Sequence, residues 1–185
     1  MKNIATRFSQ ALSCQALVPD LYHGKVTDKE DEASHLMSSL DWNNAIADVE
    51  ASISYVKSKG AEKVSIMGFC MGGALTLAAC DKLKDLVDSG ICFYGVPPAS
   101  FCNLENIKCP IQCHFGKLDD AVGFSDPETA EKLSLILSRN VEEFELHMYD
   151  AKHAFMNEVS PKFDKNASTL AFQRSVEFLK RQWSH

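Results

Sequence analysis

The fold is decided by one stretch, Lys63-Val64-Ser65-Ile66-Met67-Gly68-Phe69-Cys70-Met71-Gly72-Gly73-Ala74. In it, an apolar run stops at Gly-x-Cys-x-Gly-Gly, and small and apolar residues follow at helical spacing. This order predicts a strand, a tight turn and a helix. The turn has the Gly-x-Ser-x-Gly pattern of a nucleophile elbow, with cysteine in place of serine. Taken alone, the motif also fits a buried structural cysteine on a strand-to-helix turn.

The residues around Cys70 suit a reactive thiol. We expect Gly68 and Gly72 to leave room for it in a strained turn, and Gly73 to let the following helix pack close to the sheet. The N-terminus of that helix presents unpaired N–H groups and the positive end of a dipole, which favour a thiolate and a developing oxyanion. The Met71 N–H is therefore the expected oxyanion donor.

Composition limits the class of protein. A chain of 185 residues is expected to form one domain, 1–185. A net charge of −6 and the lack of a basic cluster argue against a nucleic-acid surface. No apolar stretch approaches a membrane span, and the first residues lack a signal-peptide apolar region. We expect a small-molecule substrate, no cofactor, and a monomer or homodimer.

The seven cysteines predict the compartment. Their number is odd and no Cys-x-x-Cys pair occurs, so they indicate reduced thiols in the cytoplasm rather than a disulfide framework. Cys109, Cys113 and His114 resemble a metal-binding spacing. Side chains four residues apart on a strand are too far separated to share a zinc ion, so no metal is predicted there.

Helical and strand-like segments alternate along the chain, which predicts an α/β fold with a mainly parallel sheet. Periodicity and capping residues predict helices at 2–13, 41–59, 126–138 and 166–183. Short apolar or alternating runs predict strands at 14–18, 63–68, 90–95, 110–116 and 141–149. A polar loop between the first strand and the second helix includes the charge run at 28–32, interpreted as a solvated surface.

Three strands end in residues that can do chemistry. The elbow strand ends in Cys70, the 110–116 strand is followed by Asp119 and Asp120, and the 141–149 strand is followed by His153. Functional residues of open parallel sheets gather at the carboxyl ends of strands. The chain order nucleophile, acid, histidine is that of α/β-hydrolases. Asp119 and Asp120 compete for the acid role, and the Gly-x-x-Asp spacing favours Asp119.

The roles follow from chemical need. A cysteine of ordinary pKa is mostly thiol at neutral pH, so His153 would take a proton from Cys70 or form an ion pair with it. Asp119 would fix the imidazole tautomer and stabilise the imidazolium. His147 also lies nearby, but strand alternation turns it sideways into a layer.

Four segments together resemble the dienelactone hydrolase family, also called carboxymethylenebutenolidases. They are Gly68-Phe69-Cys70-Met71-Gly72-Gly73, Pro19-Asp20-Leu21-Tyr22, Gly116-Lys117-Leu118-Asp119 and His153-Ala154-Phe155. The resemblance runs from about residue 4 to 183. It implies an α/β-hydrolase-like three-layer sandwich and an esterase or lactonase that acts through a thioester, with Cys70, Asp119 and His153 as its triad.

The chain departs from the family pattern in two respects. Family members open with about three more strands and a loop, so the usual first strands are expected to be missing here. That loop supplies the second oxyanion N–H, whose loss commonly costs about a hundredfold or more in rate. Members that open dienelactone also hold its carboxylate with arginines, one just after the His-x-Phe motif, where this chain has Met156-Asn157-Glu158. Dienelactone is therefore not the expected substrate.

Three functions are compatible with these residues. The first is a cysteine-dependent hydrolase of a small ester, lactone or thioester, with activity reduced by the short N-terminal region. The second is a catalytically weak or inactive α/β-hydrolase-like protein that binds a ligand in the same pocket. The third is thiol redox sensing by Cys70, which lacks a resolving thiol close by in sequence. Loss of ester turnover on Cys70→Ala would favour the first.

Overall fold

The computed structural model describes residues 1–27 and 30–184, which form two compact units, Met1–Glu62 and Lys63–His185. A single domain over 1–185 remains a prediction. The charge run predicted at 28–32 lies partly outside the described residues. No helix among the residues described combines the length and the apolarity that crossing a membrane requires.

The first unit contains three helices: α1 (Lys2–Leu12), α2 (Glu30–Ser38) and α3 (Trp42–Ser58). The helices predicted at 2–13 and 41–59 are confirmed. The Asp41 side chain caps α3 by accepting hydrogen bonds from two backbone N–H groups of its first turn, at 2.9 and 3.2 Å. Helix α2 was not predicted, because its acidic start resembles a solvated loop.

The strand predicted at 14–18 is wrong. Ser13 takes a left-handed conformation that ends α1, and the Cys14 N–H bonds back to the Ser9 carbonyl at 3.2 Å. A strand exists through ladder hydrogen bonds to a neighbour, and this segment enters no ladder among the described residues. Leu17 and Val18 are 40% and 44% exposed, so their apolar character does not indicate burial.

The second unit contains the sheet. Its elements are β1 (Ser65–Phe69), α4 (Met71–Lys82), β2 (Ser89–Phe93), a 3₁₀ turn (Leu104–Asn106), β3 (Ile111–Gly116), α5 (Pro127–Asn140), β4 (Phe144–Tyr149) and α6 (Lys165–Trp183). The strands are ordered β1-β2-β3-β4, and every pair is parallel. The remaining predicted strands and helices are thus confirmed, with small shifts at their ends.

Helices cover both faces of this sheet. On one face, Gly90 of β2 lies against the Cys80 side chain of α4. On the other, Gln112 bonds the Arg174 carbonyl of α6 at 3.3 Å, and His114 lies 3.2 Å from the Ser175 hydroxyl. The layers are therefore helix, sheet and helix, as expected for an α/β-hydrolase-like sandwich. Strands β2 and β3 are buried throughout, whereas β1 and β4, at the edges, are mostly half-buried.

The register aligns the carboxyl ends of the strands. One row across the sheet joins Gly68, Cys92, Cys113 and Leu146. Since all four strands run in the same direction, the loops after β1, β2, β3 and β4 leave from one edge. Strand β1 pairs only with β2 in the described sheet, and no strand precedes it in 1–27 or 30–64.

Candidate active site

Cys70 lies in a strained turn between β1 and α4. Its φ of 55° is in the left-handed region, which a residue other than glycine seldom adopts. The turn is held by backbone bonds. The Cys70 N–H donates to the Phe93 carbonyl at 3.0 Å, and the Cys70 carbonyl accepts from Gly73 and Ala74 at 2.9 and 3.1 Å. Met71 is the first residue of α4, which puts the predicted oxyanion donor in the first helical turn.

Backbone crowds two of the glycines at this turn and leaves the third open. A Cβ on Gly68 would lie 1.8 Å from the Gly72 carbonyl oxygen, and one on Gly73 would lie 2.3 Å from the Phe93 carbonyl oxygen. A Cβ on Gly72 would meet nothing within 4 Å. The turn therefore brings backbone onto Gly68 and Gly73, while the Gly72 hydrogens face open space.

This difference gives a stability prediction. We expect Gly68→Ala to lower the free energy of unfolding by roughly 3 kcal/mol, because the clash is with backbone and cannot be relieved by a side-chain rotation. For a chain of this size, that corresponds to a fall in Tm of roughly 6–12 °C. Gly72→Ala is the matched control and should change Tm by no more than about 3 °C. Thermal unfolding followed by circular dichroism measures both, and equal losses would contradict the geometry.

The three side chains predicted from the strand ends lie in a row. His153 Nε2 is 3.2 Å from Cys70 Sγ, and His153 Nδ1 is 2.7 Å from Asp119 Oδ2. The row matches a nucleophile, a base and a group that orients the base. Asp120, the competing carboxylate, is exposed, whereas Asp119 is buried.

Backbone contacts fix the Asp119 carboxylate. The turn after β3 is closed by the Asp119 N–H donating to the Gly116 carbonyl at 3.3 Å, and Asp119 Oδ1 accepts from the Ala121 N–H at 3.1 Å. Lys117 donates its N–H to the carbonyl of Tyr149, the last residue of β4, at 2.7 Å, and Leu118 donates to that of Ala151 in the following loop, at 3.1 Å. The loops that carry the acid and the histidine are thus tied to each other.

Aromatic rings enclose the imidazole. The Tyr94 ring stands edge-on to His153 with centroids 5.0 Å apart, and the Phe124 ring lies 6.2 Å away. Tyr94 has a φ of 36° and Ala154, beside the histidine, a φ of 60°. Strained conformations of this kind cluster at functional sites. Cys70, Tyr94 and Ala154 follow strands β1, β2 and β4, respectively, so three of the residues with positive φ lie at one edge of the sheet.

The surroundings shift the pKa of both ionisable partners. Burial acts to lower the pKa of His153, but hydrogen bonds with Asp119 and Cys70 outweigh it and raise the pKa to about 9. Burial acts to raise the pKa of Asp119, yet hydrogen bonds from His153, the Ala121 N–H and Ser125 leave it lowered. The site therefore favours an imidazolium beside a carboxylate at neutral pH.

Two residues in the site were missed from the sequence. Tyr94 directly follows β2, as Cys70 directly follows β1. Its position at the carboxyl end of a strand could therefore have identified it as a site residue. Ser125 lies in the loop before α5 and no motif marks it, although its hydroxyl is 3.0 Å from His153 Nδ1. His147 lies within β4 and bonds Glu145 at 3.0 Å, outside the row.

Comparison with known proteins places the chain among related sequences. The model of the dienelactone hydrolase family matches residues 2–183. Protein usf of Aquifex pyrophilus is 30% identical over 188 residues, covering 97% of this chain and 80% of that protein. Carboxymethylenebutenolidase 1 of Cupriavidus pinatubonensis is 30% identical over 178 residues, covering 87% and 71%.

A solved structure has the same fold at low identity. The dienelactone hydrolase-like promiscuous phosphotriesterase P91, from metagenomic libraries, superposes with a TM-score of 0.80 and 19% identity, covering 98% of this chain and 80% of that one. At that identity the likeness concerns the fold alone.

Proposed function

The chain belongs to the dienelactone hydrolase family, and on that premise we propose that it is a cysteine-dependent hydrolase of a small ester, lactone or thioester. The observation that carries the proposal is the row from Cys70 through His153 to Asp119, with contacts of 3.2 and 2.7 Å. Carboxymethylenebutenolidases of 29–30% identity are consistent with it.

The first half of the reaction forms a thioester. The Cys70 sulfur attacks the carbonyl carbon, and the carbonyl electrons move to oxygen, where the Met71 N–H is proposed to donate a hydrogen bond. When the tetrahedral intermediate collapses, the carbon–oxygen bond to the leaving group breaks. His153, as imidazolium, gives its proton to the departing oxygen. In a lactone, that alcohol stays attached to the acyl group.

The second half returns the enzyme to its starting state. His153, now neutral, takes a proton from a water molecule, and the resulting hydroxide attacks the thioester carbon. The carbon–sulfur bond breaks, the acid leaves, and the sulfur and imidazolium are restored as a pair. Asp119 accepts a hydrogen bond from Nδ1 throughout, which keeps Nε2 directed at Cys70 in both halves.

The two arginines of α6 support a substrate without a carboxylate at the position that dienelactone's would occupy. Arg174 lies over the ring of Tyr149, the last residue of β4, at 5.5 Å, and Arg181 pairs with Glu143, just before β4, at 3.5 Å. We therefore propose an uncharged ester or lactone.

The substrate proposal is tested with two small lactones of similar ring size, one neutral and one bearing a carboxylate. The expected result is a kcat/KM for the neutral lactone at least about tenfold higher, because Arg174 and Arg181 are engaged elsewhere and would not offset the cost of desolvating the charge. A preference for the charged lactone would contradict the substrate class. Tight binding of either lactone without turnover would favour the ligand-binding alternative.

The pKa of His153 predicts how the rate depends on pH. The imidazolium must give a proton to the leaving oxygen, so kcat/KM for an alkyl ester should fall as pH rises through about 9, where His153 loses that proton. An aryl ester with a good leaving group is the control, since its phenolate departs without a proton and the fall should be weaker. A rate for the alkyl ester that stays level to about pH 10, measured above the uncatalysed background, would be inconsistent with this role.

We propose a cytoplasmic location because the cysteines indicate reduced thiols rather than a disulfide framework. That the protein is a monomer or a homodimer remains a prediction.

A further inference from the structure

Ser125 is a buried hydroxyl that the three-residue mechanism does not use. It is 0% exposed and immediately precedes Asp126, the N-cap of α5. Its N–H donates to the Ala121 carbonyl at 3.0 Å, and Asp126 holds the Gly123 N–H at 2.7 Å. The backbone around Ser125 is therefore anchored independently of its side chain.

The Ser125 hydroxyl lies against the nitrogen of His153 that also faces Asp119. Its Oγ lies 3.0 Å from His153 Nδ1, and the hydroxyl is among the groups that lower the pKa of the Asp119 carboxyl. Asp119 Oδ2 lies 2.7 Å from the same Nδ1. Ser125 and Asp119 thus meet the same imidazole nitrogen, on the side of the ring away from Cys70.

Counting hydrogens gives one consistent arrangement. An ionised carboxylate only accepts, a hydroxyl offers one hydrogen and two lone pairs, and Nδ1 of the imidazolium offers one hydrogen. Nδ1–H therefore donates chiefly to Asp119 and shares its hydrogen with the Ser125 oxygen. The Ser125 O–H is then left to turn towards the Asp119 carboxylate, in keeping with the lowered pKa of that carboxyl. The Ala121 N–H donates to Asp119 Oδ1 as well. These donors hold the plane of the carboxylate and keep it ionised.

We propose that Ser125 is a positioning residue for the reaction, which holds the Asp119 carboxylate and the His153 ring in one plane so that Nε2 points at Cys70. This inference rests on the proposed function. It makes Ser125 act through its neighbours rather than on the substrate. Its loss should therefore lower kcat and leave KM almost unchanged.

The test compares Ser125→Ala with a matched control, Ser175→Ala. Ser175 is also fully buried, and its hydroxyl also lies against a histidine ring nitrogen, at 3.2 Å from His114 Nε2. With an ester substrate, Ser125→Ala should lower kcat about tenfold with KM within about twofold, whereas Ser175→Ala should leave kcat within about twofold. Ser125→Thr, which keeps the hydroxyl, should recover part of the loss.

A double-variant cycle separates positioning from a general loss of packing. In an Asp119→Asn background, adding Ser125→Ala should cost less than about twofold, because the group through which Ser125 acts is already changed. A full tenfold cost in that background, or a Ser125→Ala enzyme with unchanged kcat, would overturn the proposal.

A second readout does not depend on turnover. The alkylation rate of Cys70 by iodoacetamide at neutral pH, followed by mass spectrometry of its peptide, reports how well His153 supports the thiolate. Ser125→Ala should slow it several-fold while Ser175→Ala does not, and equal rates in all three proteins would contradict the inference. If instead Cys70→Ala retained the wild-type esterase rate, the proposed function itself would fail, which distinguishes the two failures.

Discussion

Cys70→Ala should lower ester hydrolysis by about four orders of magnitude or more, to near the uncatalysed rate. The thioester route needs a sulfur at this position, and removing the nucleophile of a catalytic triad has effects of this size in other hydrolases. The methyl side chain that remains fits the space of the thiol, so the fold should persist. Hydrolysis rates of an alkyl ester, measured in stopped-time assays, test the loss of activity. Circular dichroism of the same samples tests whether the fold persists.

The control for this variant is Cys14→Ala. Cys14 is half-buried like Cys70 but belongs to the first unit. The substitution Cys14→Ala should therefore leave kcat/KM within about twofold of the wild-type value. A Cys70→Ala protein that keeps more than about a tenth of the wild-type rate would show that another group attacks the ester. That outcome would remove the basis for the thioester mechanism.

His153→Ala and Asp119→Asn should each lower kcat by about three to four orders of magnitude. The first removes the group that moves protons to and from the leaving oxygen and water. The second replaces the carboxylate 2.7 Å from Nδ1 with an amide, which no longer stabilises the imidazolium or selects its tautomer. Steady-state kinetics of both variants with one alkyl ester measure the losses.

Two controls match these variants. Asp120→Asn changes the exposed neighbouring carboxylate, and His147→Gln changes the histidine within β4. Both should leave kcat within about threefold. If Asp120→Asn were the damaging change and Asp119→Asn the harmless one, the acid has been assigned to the wrong residue.

The elements that position the site could be predicted because their signals are local. The segment from Val64 to Ala74 has β-branched residues, then glycines at the turn, then small residues. These three local features agree in predicting a strand, a tight turn and a helix. The Asp126–Pro127 pair gives a helix start of the same kind, seen in α5. Strand-end reasoning then selected Cys70, Asp119 and His153, because a parallel sheet brings those ends to one edge.

Errors arose where structure depends on distant partners. The segment at 14–18 has the composition of a strand, but no ladder partner exists for it in the described residues, and propensity alone does not form one. Ser125 reaches His153 across 28 residues of sequence, through a loop whose path is fixed by hydrogen bonds to the Ala121 carbonyl.

The most direct test of the central claim is to trap the acyl group. Wild-type protein is mixed briefly with excess of an activated ester at low pH, where hydrolysis of the thioester by His153 is slow, and the digest is analysed by mass spectrometry. The account predicts one acyl group, on the peptide that contains Cys70, removable by hydroxylamine and absent from Cys70→Ala. An acyl group on another residue that turns over at the steady-state rate, with Cys70 unmodified, would contradict it.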